Sequence, residues 1–131
     1  YMLMLINKEM PVAPPLKHGI VDVRDVAKIH IDALENDESI GKRVIITENT
    51  YWVRELSEML NKHGHKAPTF TPPVFLVKFL ANFDKTIKPV KPLLGVDISF
   101  NTEVAKSVLK YDPIPIEKTI EDTCNFLRTY K

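Results

Sequence analysis

The run Ile20-Val21-Asp22-Val23-Arg24-Asp25-Val26-Ala27-Lys28-Ile29-His30 feeds a short apolar strand straight into a capped helix. Asp22 is placed to accept from the first free backbone N–H groups of that helix. Asp25, three residues on, puts a second carboxylate in the first turn, where the helix dipole favours negative charge. The pattern predicts a strand over Ile20 to Val23 and a helix from about Val23 to Asn36. On that helix Val26, Ala27, His30, Ala33 and Leu34 mark the buried face, and Lys28, Asp32 and Glu35 the wet one.

Other elements follow from periodicity and punctuation. The first nine residues read as a hydrophobic helix, stopped by Pro11, Pro14 and Pro15, whose loop runs to His18-Gly19. Arg43-Val44-Ile45-Ile46-Thr47 is a β-branched run without alternation, the pattern of a strand covered on both faces in a parallel sheet. Asn49 or Thr50 is placed to cap the next helix, with Val53, Leu56, Met59 and Leu60 inward and Gly64 at its end. Ala67 to Pro73 is extended. The helix from about Val74 to Asp84 is apolar nearly all round and therefore needs cover on more than one side. Pro89 and Pro92 break the next stretch, and Asp97 to Phe100 suggests a short strand. Asn101 or Thr102 caps a helix through Val104, Val108 and Leu109. Tyr111 to Pro115 is a stiff connector, and a closing helix from about Ile116 to Tyr130 buries Ile120, Cys124, Leu127 and Phe126. The sum is helix-rich α/β or α+β, within one domain spanning residues 1–131.

Composition narrows the class. A hydrophobic share of 44% against 27% charged is that of a folded globular chain. The net charge of +1 gives no bulk attraction to nucleic acid or to an anionic membrane. Cys124 is the single cysteine, which rules out an internal disulfide and suits a reducing cytoplasm. No apolar run approaches the ~20 residues of a membrane span. An opening Tyr1 in place of Met reads as a truncated, processed or tagged chain.

Several chemistries are missing from the sequence. Gly19, Gly41, Gly64 and Gly95 stand more than twenty residues apart, so no glycine-rich turn exists to cradle a pyrophosphate. A Tyr-Lys pair one helical turn apart would lower the phenol's pKa for carbonyl reduction. The residues four after Tyr1, Tyr51 and Tyr111 are Leu5, Glu55 and Pro115, and Tyr130 is one residue from the end. His63-Gly64-His65, with His18 and His30, has no carboxylate or thiol at a metal-ligand spacing and reads as a solvated helix end. His30 reads as a hydrogen-bonded core histidine. Asp22, Arg24 and Asp25 read as a cap and a helix-start ion pair. Cys124 has acidic neighbours that oppose thiolate formation. Phe70, Phe75, Phe79 and Phe83 are the remaining candidates, either for the wall of a small-molecule pocket or for core and subunit contacts.

The stretch Val21 to His30, continuing through Ala33-Leu34-Glu35, resembles the extended (atypical) short-chain dehydrogenase/reductases of the NAD-dependent epimerase/dehydratase superfamily, especially the dihydroflavonol reductase-like branch. Gly41-Lys42-Arg43-Val44-Ile45-Ile46, Glu55 to Leu60, Asn101 to Leu109, and Leu109 to Pro113 followed by Ile120 to Thr123 keep the same order. Lys110 stands where that family has glycine. The resemblance implies the C-terminal, substrate-side portion of a Rossmann-type reductase, without its dinucleotide-binding half. It implies NADP or NAD in the complete enzyme and no cofactor bound by this chain alone. Asp22, Arg24, Asp25 and His30 then carry structural roles, and Phe70, Phe75, Phe79 and Phe83 line the substrate side. Two alternatives stand beside it: a sugar-nucleotide epimerase/dehydratase fragment, and a non-catalytic assembly module that uses Phe75, Phe79 and Phe83 for a protein partner. Separated from a covering half, such a piece is expected to self-associate through its exposed apolar surface.

Overall fold

The computed structural model describes residues 2–83 and 87–129, so Tyr1, Asp84 and Tyr130 of the expected elements lie outside the described residues. In chain order it has α1 (Met2–Ile6), β1 (Lys17–Ile20), α2 (Val23–Leu34), β2 (Asn49–Trp52), α3 (Val53–Lys62), α4 (Val74–Leu80), α5 (Glu103–Leu109) and α6 (Ile116–Thr129). Short 3₁₀ turns cover Asp37–Ser39 and Lys88–Leu93. β1 and β2 pair as a two-stranded sheet. Val53 N–H donates to Leu16 O and Glu48 N–H to Ile20 O, at 3.0 and 2.7 Å, which makes the pair antiparallel.

The chain forms two compact units. The first comprises Tyr1–His18 and Tyr51–Ile98, and the second Gly19–Thr50 and Ser99–Lys131. In the first, Leu5, Ala13, Val53, Leu56, Leu60, Ala81 and Leu94 are buried. α3 begins where the Glu55 carboxylate accepts from Trp52 N–H at 2.7 Å, later than the expected cap at Asn49 or Thr50. Asn49 belongs instead to β2, and its side chain accepts from Thr50 N–H. Beyond Gly64, at φ +86°, Asn61 exchanges two hydrogen bonds with the Ala67 backbone and fixes the exit from α3. α4 is seated by Val77, with Ala81 just beyond it, and by Val74, whose methyl groups fill the space where a Gly95 side chain would stand.

In the second unit, Asp22 caps α2 by accepting from Arg24 N–H at 2.9 Å. The buried face of α2 differs from the expected one. Asp25 and Ile29 are buried and Ala33 partly so, whereas Ala27, His30 and Leu34 are exposed. The phase is set by α5 and the following connector: Ile29 packs with Ala105, Leu109 and Tyr111, and Ala33, Val44, Ile46 and Val108 close around that cluster. His30 is therefore a surface histidine, its Nδ1 2.7 Å from Val26 O.

Arg43–Thr47 is not a strand, and neither is Asp97–Phe100. Among the described residues Arg43–Thr47 has no neighbouring strand to complete a ladder. Val44 and Ile46 pack on the Ile29 cluster, and Thr47 Oγ1 donates within reach of both Ile20 O and Asn49 O. Asn101 Oδ1 accepts from Glu103 N–H at the start of α5. Lys110 ends that helix at φ +49°, the left-handed geometry that glycine adopts without strain, and Tyr111 N–H closes onto Ala105 O. α6 buries Ile116, Ile120 and Cys124, while Phe126 is exposed.

Candidate functional site

The densest polar constellation joins the start of α2 to the first turns of α6. Asp22 is 4% exposed, and its two carboxylate oxygens receive Arg24 N–H, Arg24 Nε and Arg24 Nη2 at 2.7 to 2.9 Å. Thr119 Oγ1 donates to the same carboxylate at 2.9 Å. The Arg24 guanidinium also reaches Asp122 at 2.9 Å, and Asp122 in turn holds Lys118. The hydrogen bonds from Arg24 hold the Asp22 carboxyl well below the usual carboxylate range, against an opposing push from burial. Lys118 does the same to Asp122. Asp25, buried one helical step along, accepts from Ile114 N–H at 2.9 Å and pins the proline connector.

This network borders a concavity of about 480 Å³ lined by Asp22, Val23, Arg24, Thr119, Asp122, Thr123 and Phe126. Thr123 Oγ1 donates to Thr119 O, and each charged group on the wall is paired. The Asp22 carboxylate oxygens are taken up by the Arg24 and Thr119 donors, which leaves no lone pair ready for a substrate proton and ties the start of α2 to α6. Thr119 and Asp122 complete the cap. The sequence signalled Asp122 only as part of the Ile120 to Thr123 piece, and gave no sign of Thr119.

The four phenylalanines stand elsewhere, in the first unit, and all are exposed. Phe79 and Phe83 meet edge to face with ring centroids 5.4 Å apart. Phe75 lies one turn before Phe79 on the same face of α4. A concavity of about 400 Å³ in the first unit is lined by Pro14, Pro15, Trp52, Arg54, Glu55, Glu58 and Thr71, none of which the sequence marked as a site residue. Its charges are internally matched: Arg54 pairs with Glu58 at 2.8 Å, and Glu55 is occupied by the α3 cap.

Other groups are poorly set for chemistry. Burial pushes the Tyr111 hydroxyl up to about 12, with Asp25 and Glu48 adding to the shift, so it is a reluctant proton donor. The Cys124 thiol is buried and raised by that burial. Burial lowers the His18 pKa. Among the described residues no group of three His, Cys, Asp or Glu side chains is arranged to hold a metal. Nor do the residues fit a dinucleotide. Gly19 is in β1 beneath the Phe100 ring, Gly41 opens a lone turn, Gly64 follows α3, and Gly95 packs on Val74. No two of them share a loop that would present consecutive backbone N–H groups.

Comparison with known proteins places these observations. No family model matches the chain. NADPH-dependent methylglyoxal reductase Gre2 of Saccharomyces cerevisiae is 41% identical over 63 residues, 44% of this chain and 18% of that protein. Over that part, the chain is homologous to a protein described as an NADPH-dependent reductase. The crystal structure of yeast methylglyoxal/isovaleraldehyde reductase Gre2 complexed with NADPH superposes at TM-score 0.62 and 25% identity, over 98% of this chain and 40% of that one. The crystal structure of gox2253 superposes at TM-score 0.76 and 23% identity, over 98% of this chain and 42% of that one, and speaks for the fold. The helix-rich α/β architecture is thus that of part of a Rossmann-type reductase. The chain spans less than half the length of these relatives.

Proposed function

We propose that this chain forms the substrate-facing side of an NADPH-dependent carbonyl reductase and works with a separate dinucleotide-binding half. The observation that carries the reading is the 41% identity to a protein described as an NADPH-dependent methylglyoxal reductase. The chain's own residues agree with such a division of labour. They supply a braced scaffold at Asp22, Arg24 and Asp25 and an apolar edge at Phe70, Phe75, Phe79 and Phe83, without a phosphate cradle or a Tyr-Lys pair. In the dihydroflavonol reductase-like reading the whole enzyme reduces or oxidises a small carbonyl compound or alcohol, and the four phenylalanines line its substrate side.

The test is a titration of NADPH into the purified 131-residue chain, followed by nucleotide fluorescence. No saturable binding at micromolar nucleotide is expected, because helix N-termini and glycine turns that converge on a pyrophosphate are missing. Micromolar affinity for NADPH by this chain alone would refute the division of labour.

A further inference from the structure

Arg43–Thr47 has every property of a strand except a neighbour. No helix, turn or bend interrupts residues 42–47. Val44 and Ile46 pack on the Ile29 cluster, and alternation sends Ile45 to the opposite face. The next residue, Glu48, already donates its N–H to Ile20 O. Within Arg43–Thr47, however, no backbone N–H or C=O meets a partner among the described residues. Such an edge is a template for strand addition.

The helix packed against this edge is unfinished in the same way. α2 turns Asp25 and Ile29 inward, while Val23, Ala27, Ile31 and Leu34 stand exposed, Leu34 by 88%. Steps of four, four and three place those side chains in one stripe over three turns. Ala27 and Leu34 belong to the face that periodicity predicts as buried. A helix apolar on two sides needs two covers, and α5 with its connector supplies one.

From the unpaired edge and the outward stripe we propose that the dinucleotide-binding half docks on the second unit, adding a parallel strand along Arg43–Thr47 and covering the α2 stripe. This docking rests on the division of labour proposed above and gives its partner a place. Val44-Ile45-Ile46 is apolar at consecutive positions, which suits a strand covered on both faces in a parallel sheet. A Rossmann-type half is built on a sheet of that kind. A second copy of the chain fits less well. Two identical edges meeting about a two-fold axis run antiparallel, where one solvated face makes alternation the rule. Size points the same way. Stripe side chains of on the order of 100 Å² each fall short of the roughly 800 Å² per partner of a stable interface. The NADPH-complexed yeast reductase extends far beyond the 40% of its chain matched here, enough to cover edge and stripe together.

The experiment is hydrogen–deuterium exchange over residues 43–47, read by mass spectrometry. It compares the full chain alone with a chimera that joins it to the remaining part of the yeast methylglyoxal reductase. In the chain alone fast exchange is expected, at low and high protein concentration alike. In the chimera the same amides should slow at least roughly a hundredfold. Ile31→Asp/Leu34→Asp, both at exposed positions and checked for folding by circular dichroism, should restore at least roughly tenfold of that rate. A folded chimera whose amides stay fast would overturn the proposal, as would protection that survives the double variant. A chimera that does not fold also counts against it, since an edge that fits should close. Slow exchange in the chain alone would overturn it too, and slowing that tracks dimerisation would assign the edge to a second copy. Carbonyl reduction separates this docking from the reading it rests on. A chimera with protected amides and no reductase activity keeps the docking and loses the substrate-side role, and an active chimera with unprotected amides does the reverse.

Discussion

Asp22→Ala is expected to lower the unfolding free energy by about 2 kcal/mol, the range for losing a helix N-cap together with the hydrogen bonds of a buried carboxylate. The substitution takes away the α2 cap, two bonds from the Arg24 side chain and the bond from Thr119 Oγ1 at once. Chemical denaturation followed by circular dichroism reads the change. Asp122→Asn serves as the control, because its ion pairs are solvent-accessible and such surface pairs contribute little to stability. Equal effects from the two variants would mean that Asp22 is no more than a surface partner of Arg24.

The same carboxylate predicts a pH dependence. In the unfolded chain it titrates at about 4, whereas Arg24 holds it well below that when folded. Between the two values the unfolded chain binds the extra proton, so stability rises with pH there. The contribution is complete above pH about 4 and is lost as pH falls toward the folded value. Asp22→Asn should flatten this acid limb, whereas a limb of unchanged slope would place the acid sensitivity elsewhere.

Gly95→Ala carries the second large effect, an expected loss of about 2–3 kcal/mol. Two costs combine: a side chain at φ +74°, worth about 1 kcal/mol or more, and a Cβ 2.9 Å from Val74 Cγ2, an overpacking of similar size. Val74→Ala separates them. In the Gly95→Ala background it should relieve the crowding and leave the backbone strain, so the two substitutions are non-additive. Strict additivity would mean that Val74 does not seat against this turn. Because that contact fixes the platform of α4, Gly95→Ala should also raise protease sensitivity around Phe75 to Phe83.

What the sequence disclosed was what is local. The α2 cap is an i to i+2 contact and could be read from Asp22-Val23-Arg24 alone. The partners that give Asp22 and Asp25 their structural weight are 97 and 89 residues away, at Thr119 and Ile114, beyond the reach of any spacing rule. The phase of α2 was ambiguous because Val26, Ile29, Ile31 and Leu34 distribute apolar side chains round the helix. Packing against Ala105, Leu109 and Tyr111 resolved it in favour of Ile29 and left His30 outside. Arg43–Thr47 has the β-branched content of a strand, but a strand is a pairing, and propensity alone supplies no partner. The apolar helix near Val74 was legible as a helix needing cover. Which of its sides faces outward depends on Val77 and Ala81 reaching the interior, and periodicity is silent when nearly every position is apolar.

The decisive measurement is a chimera in which this chain replaces the matching part of the yeast methylglyoxal reductase, assayed by NADPH oxidation with methylglyoxal, isovaleraldehyde and bulkier apolar carbonyl compounds. Nucleotide oxidation that depends on an added carbonyl compound is the expected result, with a preference among substrates that shifts when Phe75 or Phe79 is changed. A folded chimera that binds NADPH yet reduces none of them would contradict a substrate-side role for this chain.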